Sequence, residues 1–191
     1  FTLLPGLASA HALEIHGSNT IGATLAPMLM TGFLQQLTGN PVTARPTGTA
    51  NETVLATSYN GKPMTVLVAA HGTSTGFSAL AADHADIWAA SRRVKGSERE
   101  AMATRADLTS PASEHVIAID GLAILVHPSN PVEQLNIDTL ARVFAGEISN
   151  WSEVGGPDRP IRIYARDEQS GTWDTFKELV LAGRYNLTPS A

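Results

Sequence analysis

Residues 164–176 read YARDEQSGTWDTF. Arg166 stands four residues before Ser170-Gly171-Thr172, which opens an amphipathic stretch. A helix start leaves backbone N–H groups without intrahelical partners, and its dipole favours negative charge there. Serine and threonine hydroxyls add donors, and arginine adds a planar fork that fits two oxygens at once. The combination suits an oxyanion. The bland alternative is a cap at Ser170 and a surface ion pair from Arg166 to Glu168 or Asp167. The two are compatible, because the acid can orient the guanidinium while its fork faces a ligand.

Two further clusters share this chemistry: Gly17-Ser18-Asn19-Thr20 and Gly72-Thr73-Ser74-Thr75-Gly76. Either one alone reads best as an N-cap. Three in one chain, each at a strand-to-helix junction, point to a shared ligand. Helix-start amides and hydroxyls can cradle an oxyanion without a basic surface. The formal net charge of −5 is therefore no obstacle to anion binding, whereas it argues against a nucleic-acid surface.

Other chemistries fail on pattern. GTSTG is not followed by the Gly-Lys-Ser/Thr of a P-loop, and Ser170 does not sit in a G-x-S-x-G elbow. The six histidines (His11, His16, His71, His84, His115, His127) lack metal-ligand spacing, and there is no cysteine, so thiolate sites and disulfides are excluded. No metal or cofactor is expected. Trp88, Trp151 and Trp173 read as packing residues.

The elements that must position these clusters alternate between strand and helix patterns. LEIHGSN (Leu13 to Asn19) is a strand breaking at Gly17, and Thr24 to Leu37 is a helix with Pro27 in its first turn. VTARPT is a strand; NETVLATSY fits either a helix turn or a strand. Asn60-Gly61 marks a hairpin tip. Thr65 to Gly72 is a buried strand, GFSALAADHA a short helix, Ala85 to Ser91 a strand, and GSEREAMATR a helix. His115 to Pro128 is an apolar run broken at Asp120-Gly121. NIDTLARVFAG is a helix starting near Asn136 or Asp138. Ile161 to Arg166 is a strand, and the helix from Ser170 is capped at Gly183. Such alternation predicts an α/β fold with mostly parallel sheets flanked by helices, in which ligands sit beyond the carboxyl ends of strands.

The chain has 191 residues, 43% hydrophobic and 16% charged, a globular composition with enough length for a real core. Its first twelve residues, FTLLPGLASAHA, combine an apolar stretch with two A-x-A patterns, and read as the tail of a secretory signal peptide. No later apolar run reaches the length of a membrane span.

In order along the chain, HGSNTIG, HGTSTGFSALAADHADIWAASRRVKGSE, DGLAILVHPSNPVEQLNIDTLARVFAGEISNWSEVGG and IRIYARDEQSGTWDTF together resemble the periplasmic phosphate-binding proteins of ABC transporters, the PstS-like group. No single block is decisive, but the ordered set is specific. The resemblance implies a two-lobed type II periplasmic-binding-protein fold. It also implies one dehydrated phosphate bound between lobes, an ABC permease as partner, an extracytoplasmic location and no enzymatic activity. It divides the chain into a remnant at 1–12, lobe one at 13–115 and lobe two at 116–191, with the hinge near Glu114 to Gly121. It assigns Thr20 and the Ile21 amide, next to Ser18 and Asn19, to the first loop. Thr73 and Ser74 belong to the second loop, Ser91 closes the strand after it, and Arg166, Ser170, Gly171 and Thr172 form the last loop, with Glu168 pairing to the arginine.

Three departures qualify it. Some members carry an aspartate that accepts the phosphate proton where Arg92 stands here; Asp120, which interrupts an apolar run, is the first alternative acceptor, and a turn residue is the bland reading of it. Val42 to Val68 is longer than the family's link and looks like an inserted hairpin. The resemblance also implies truncation at both ends, with the return to lobe one lying beyond this sequence. The wording of the first two loops resembles a subgroup with a downstream OmpA-like domain, which would make peptidoglycan a partner and an envelope-anchored or signalling sensor the rival function. A hydrolase built on Ser170 is the second rival, and needs a histidine within reach of that hydroxyl.

Overall fold

The computed structural model describes residues 12–182. The calls on the signal-peptide remnant up to His11 and on a cap at Gly183 lie outside the described residues. Two compact units divide between His115 and Val116.

In the first unit, β1 (Leu13–Gly17), α1 (Asn19–Gly22) and α2 (Leu25–Thr38) are followed by β2 (Thr43–Pro46), β3 (Glu52–Tyr59), β4 (Lys62–Ala69), α3 (Thr73–Ala81), β5 (Ile87–Ala89) and α4 (Gly96–Met102). The strands form one sheet in the order β2-β3-β4-β1-β5. β1 pairs in parallel with β4 and β5, with Ile15 beside Val68 on one side and Ile87 on the other. β2–β3 and β3–β4 are antiparallel. The sheet is therefore mixed and not mostly parallel. The cause is the Val42–Val68 segment, which adds an antiparallel hairpin to a parallel core. Asn60 and Gly61 both have positive φ, 51° and 75°, as a tight two-residue hairpin turn demands. The residues left open between helix and strand are β3, where Thr53, Val54 and Thr57 supply β-branched side chains suited to a pleated surface. At the sheet's edge, β2 is four exposed residues ending in Pro46, a short strand that resists further pairing.

The core joins Ile15, Leu34, Leu55, Val66, Val68 and Ala89, with Leu34, Leu55 and Val66 fully enclosed. α2 begins with Pro27 in its first turn, where the missing N–H costs nothing, and ends at Gly39 in the left-handed conformation. It contributes only Ala26 and Leu34 to the buried set, while Met28, Leu29 and Phe33 face outward.

Close backbone approach fixes the site end of this sheet. A Cβ on Gly76 would lie 2.5 Å from both the Gly17 Cα and the His16 carbonyl oxygen. Those are backbone atoms, so α3 would have to move off β1. Gly76→Ala is expected to destabilise the unit by about 1–3 kcal/mol, the usual cost of overpacking. Thermal unfolding checks it, and an unchanged midpoint would show that α3 does not seat on β1 this closely.

The second unit contains α5 (Ile137–Phe144), a 3-10 turn (Trp151–Val154), α6 (Gly171–Phe176) and a π-helical turn (Lys177–Leu181). Asn136 caps α5 by accepting from the Thr139 amide at 2.7 Å. One cluster packs Ala141 against Trp173, Phe176, Val180 and Leu181; a second packs Val143, Ile148 and Ile161 with Trp151 and Val154. The segment read as a strand at Ile161–Arg166 is not a strand among the described residues, and the apolar run from His115 to Pro128 forms none either. Their apolar pattern is genuine, but a strand exists only where a neighbour completes its hydrogen-bond ladder, and no ladder forms here. Ile119 and Leu125 accordingly stand almost fully exposed, at 98% and 89%.

Candidate anion-binding site

Parallel neighbours end on the same edge of a sheet, so β4, β1 and β5 deliver their following loops to one place. Hydrogen bonds lock the loops together. The Ser18 amide donates to the Ala89 carbonyl at 2.7 Å, and the Gly72 amide to the Gly17 carbonyl at 2.8 Å. The Asn19 side chain donates to the Ala70 carbonyl at 2.6 Å. The Trp88 indole donates to the Thr73 carbonyl at 2.7 Å and meets Phe77 edge-on. Trp88 thus ties the last strand to the start of α3, a packing and anchoring role.

The fold therefore brings together Ser18, Asn19, Thr20, Ile21, Thr73, Ser74, Ser91 and Arg92. Ser18 is buried and Thr20 exposed. α1 and α3 both start here, leaving their first amides without helical partners. Thr73 is fully enclosed; its Oγ1 accepts from the Ser91 amide at 3.3 Å and shares a hydrogen bond with Ser91 Oγ at 3.1 Å. Asn19 spends one of its side-chain amide hydrogens on Ala70.

Arg92 occupies this edge as half of a buried ion pair. Its Nη1 and Nη2 donate to the Glu98 carboxylate at 2.8 and 2.7 Å, with the two side chains 4% and 9% exposed. Burial works to raise the Glu98 pKa, but hydrogen bonds from Arg92 and from the Lys95 amide, with the guanidinium's charge, outweigh it and hold the carboxyl below its usual value. Sequence reasoning missed this pair. The signal was Glu98 three residues into α4 from Lys95, the position from which an acid reaches back to the helix start.

In the second unit, Ser170 is buried and caps α6: its Oγ accepts from the Trp173 amide at 3.3 Å. The cap is real, and the hydroxyl keeps its own hydrogen to donate. The Gly171 and Thr172 amides precede the first helical bond, made by the Asp174 amide to the Ser170 carbonyl. Arg166 is half exposed, and its ion partner is Asp167 at 3.8 Å, beyond hydrogen-bond length. The expected Arg166–Glu168 pair does not form. Glu168 instead accepts from the Trp173 indole at 3.2 Å and from Lys177 at 2.9 Å, because the turn after α6 brings Lys177 back over residue 168. Those two hydrogen bonds lower the Glu168 pKa. Asp120 is exposed and accepts from the adjacent Gly121 amide at 2.8 Å.

Other features do not extend the site. An open pocket of about 500 Å³ lies beside Gly22 and Ala23, lined by residues 46–53. It carries Glu52, which accepts from Thr47 and lies 3.6 Å from His71. A carboxylate in its wall makes it a poor seat for an anion. Among the described residues no group of three His, Asp or Glu could hold a metal ion.

The strand-end loops of unit one, with helix-start amides at the carboxyl edge of a parallel core, place the chain in the type II periplasmic-binding-protein class. A family model described as the PBP superfamily domain matches residues 22–187. The chain belongs to that family. A crystal structure from Clostridium perfringens holding bound phosphate superposes with a TM-score of 0.66 at 25% identity, covering 93% of this chain and 60% of that one. An ABC-type phosphate transport receptor from Vibrio cholerae superposes with a TM-score of 0.60 at 28% identity, covering 88% and 55%. The phosphate-binding protein PstS of Borreliella burgdorferi is 36% identical over 78 residues, 41% of this chain and 28% of the relative. The chain thus spans less than two thirds of the length of each of these relatives.

Proposed function

We propose that the protein is the solute-binding component of an ABC-type phosphate uptake system and works outside the cytoplasm. The observation that carries the reading is the convergence of helix-start amides and hydroxyls where β4, β1 and β5 end, in a chain whose family includes proteins named for phosphate binding. On this reading Arg166, Ser170, Gly171 and Thr172 are the second unit's candidate donors to the anion's oxygens. The oxygens are bound by donors fixed in advance, so little ordering is needed when the ion arrives. The chemistry is recognition without bond making. An ABC permease is the partner this role requires. A gene encoding one beside this reading frame supports transport, and an OmpA-like peptidoglycan-binding domain on the full-length chain would favour the sensor instead.

Isothermal titration of the full-length protein with inorganic phosphate, followed by competition with sulfate, tests the reading. The expected result is one phosphate bound per chain, with sulfate competing only at higher concentration. Phosphate near neutral pH keeps a proton that sulfate lacks, so a buried acceptor rejects sulfate by leaving a carboxylate unpaired. Asp120→Asn narrows the gap between the ions if Asp120 is that acceptor, and leaves it unchanged if its carboxylate serves only the Gly121 amide. Absence of phosphate binding would overturn the functional reading.

A further inference from the structure

We propose that Arg92 is a positioning residue of the anion site, clamped by Glu98 so that it hydrogen-bonds Ser74 and turns that serine's own hydrogen toward the bound anion. The inference rests on the phosphate-binding reading above and names the residue that prepares one of its donors.

The guanidinium is fixed from several sides. Nη1 and Nη2 fork onto Glu98, Nη1 also donates to the Arg93 carbonyl at 3.0 Å, and Cζ lies 5.7 Å from the centre of the Trp88 ring. From that position Nη2 reaches Ser74 Oγ at 3.3 Å. A guanidinium has only donors and does not lose its proton in proteins. The direction of this bond is therefore settled, and the serine oxygen accepts. A hydroxyl carries one hydrogen, so Ser74 must give its own elsewhere. Ser74 is the second residue of α3 and half-buried, beside the first amides of that helix. Its hydrogen joins donors already directed to the same edge. Thr73 is fully enclosed and Thr75 gives its hydrogen to the Gly72 carbonyl at 2.8 Å, which leaves Ser74 as the hydroxyl this loop presents.

Glu98 balances the charge of Arg92, so the pair contributes orientation more than net attraction. It also settles what stands where some relatives are expected to carry an acid. This part of the site offers donors alone, and donors serve phosphate and sulfate alike. Ser74 therefore raises affinity for both ions without choosing between them.

Calorimetric titration of the full-length protein with inorganic phosphate, and separately with sulfate, tests this on Ser74→Ala, Ser74→Thr, Arg92→Lys and the Ser74→Ala/Arg92→Lys pair. Ser74→Ala is expected to weaken phosphate binding about tenfold or more, the loss of one hydrogen bond to a charged group. Ser74→Thr, which keeps the hydroxyl, retains most of the affinity. Lysine at position 92 keeps a positive charge opposite Glu98, so the fold survives. It lacks the planar fork that holds Glu98 and Ser74 together. Arg92→Lys therefore weakens phosphate binding in the native background and adds nothing in the Ser74→Ala background, a non-additivity that residues acting as one unit show. The phosphate-to-sulfate affinity ratio stays constant across the set. An Arg92→Lys loss that persists without Ser74, a Ser74→Ala protein with native affinity, or a shifted ratio would each overturn the proposal while the functional reading stands. A native protein that binds no phosphate overturns the functional reading itself.

Discussion

Replacing Arg166 by alanine is expected to weaken phosphate binding about thirtyfold or more, because truncating one partner of a desolvated charged hydrogen bond costs roughly 2–5 kcal/mol and each 1.4 kcal/mol is tenfold. The structure shows why this side chain has capacity to spare. Its described ion partner is Asp167 at 3.8 Å, and the acid that could have occupied its fork, Glu168, is held by Lys177 and Trp173. Arg166 is half exposed, so its donors are hydrated until a ligand replaces the water. Four residues on, Ser170 and the amides of Gly171 and Thr172 offer further donors. Arg166→Lys, which keeps the charge without the two-pronged geometry, should fall between alanine and the native protein. Asp167→Asn should change affinity far less, since a long and exposed ion pair contributes little. Calorimetry on the full-length protein checks all three. Near-native affinity for Arg166→Ala would remove the residue from the site.

Much of unit one was legible because its signals are local. β1 alternates and breaks at Gly17, β4 and β5 are short stretches rich in apolar residues, and Asn60-Gly61 names its own turn. The mixed sheet was legible only in part. The length of Val42–Val68 announced an inserted hairpin, but NETVLATSY carries threonine and alanine in a pattern that either element tolerates. Unit two shows a different limit. The apolar residues in IRIYAR and in the run around Asp120 mark side chains that gain from burial but say nothing about which backbone completes the ladder. Among the described residues none does, and Tyr164 stands 80% exposed. At the site, the Arg166-to-Ser170 spacing could be read directly. The Arg92–Glu98 clamp could not, because it joins a strand end to the first turn of α4, and only the fold makes residues 92 and 98 face each other over Ser74.

That clamp carries the largest expected effect on stability. Arg92→Met leaves Glu98 buried and without its main partner, and breaking such a pair on one side typically costs about 3–5 kcal/mol. The double change Arg92→Met with Glu98→Leu should recover most of that, since apolar replacement of a whole buried pair is often close to neutral. Some deficit remains, because Glu98 also accepts from the Lys95 amide at 2.8 Å and so caps α4. The dependence on pH distinguishes this account from a general packing defect. In the native protein the folded Glu98 pKa lies below its unfolded value of 4.5, so the folded state binds fewer protons there. Its contribution is fully present above the unfolded value and is lost as pH falls through the folded one. Without Arg92, burial is left as the largest influence on the carboxyl, and burial raises the pKa. The sign then reverses: the variant's deficit is greatest above the carboxylate range and shrinks as acid protonates Glu98. Urea denaturation of the native protein and of Arg92→Met at a series of pH values should therefore give stability curves that converge toward low pH. Parallel curves would mean that Arg92 holds the fold by packing against Trp88 and not by pairing with Glu98.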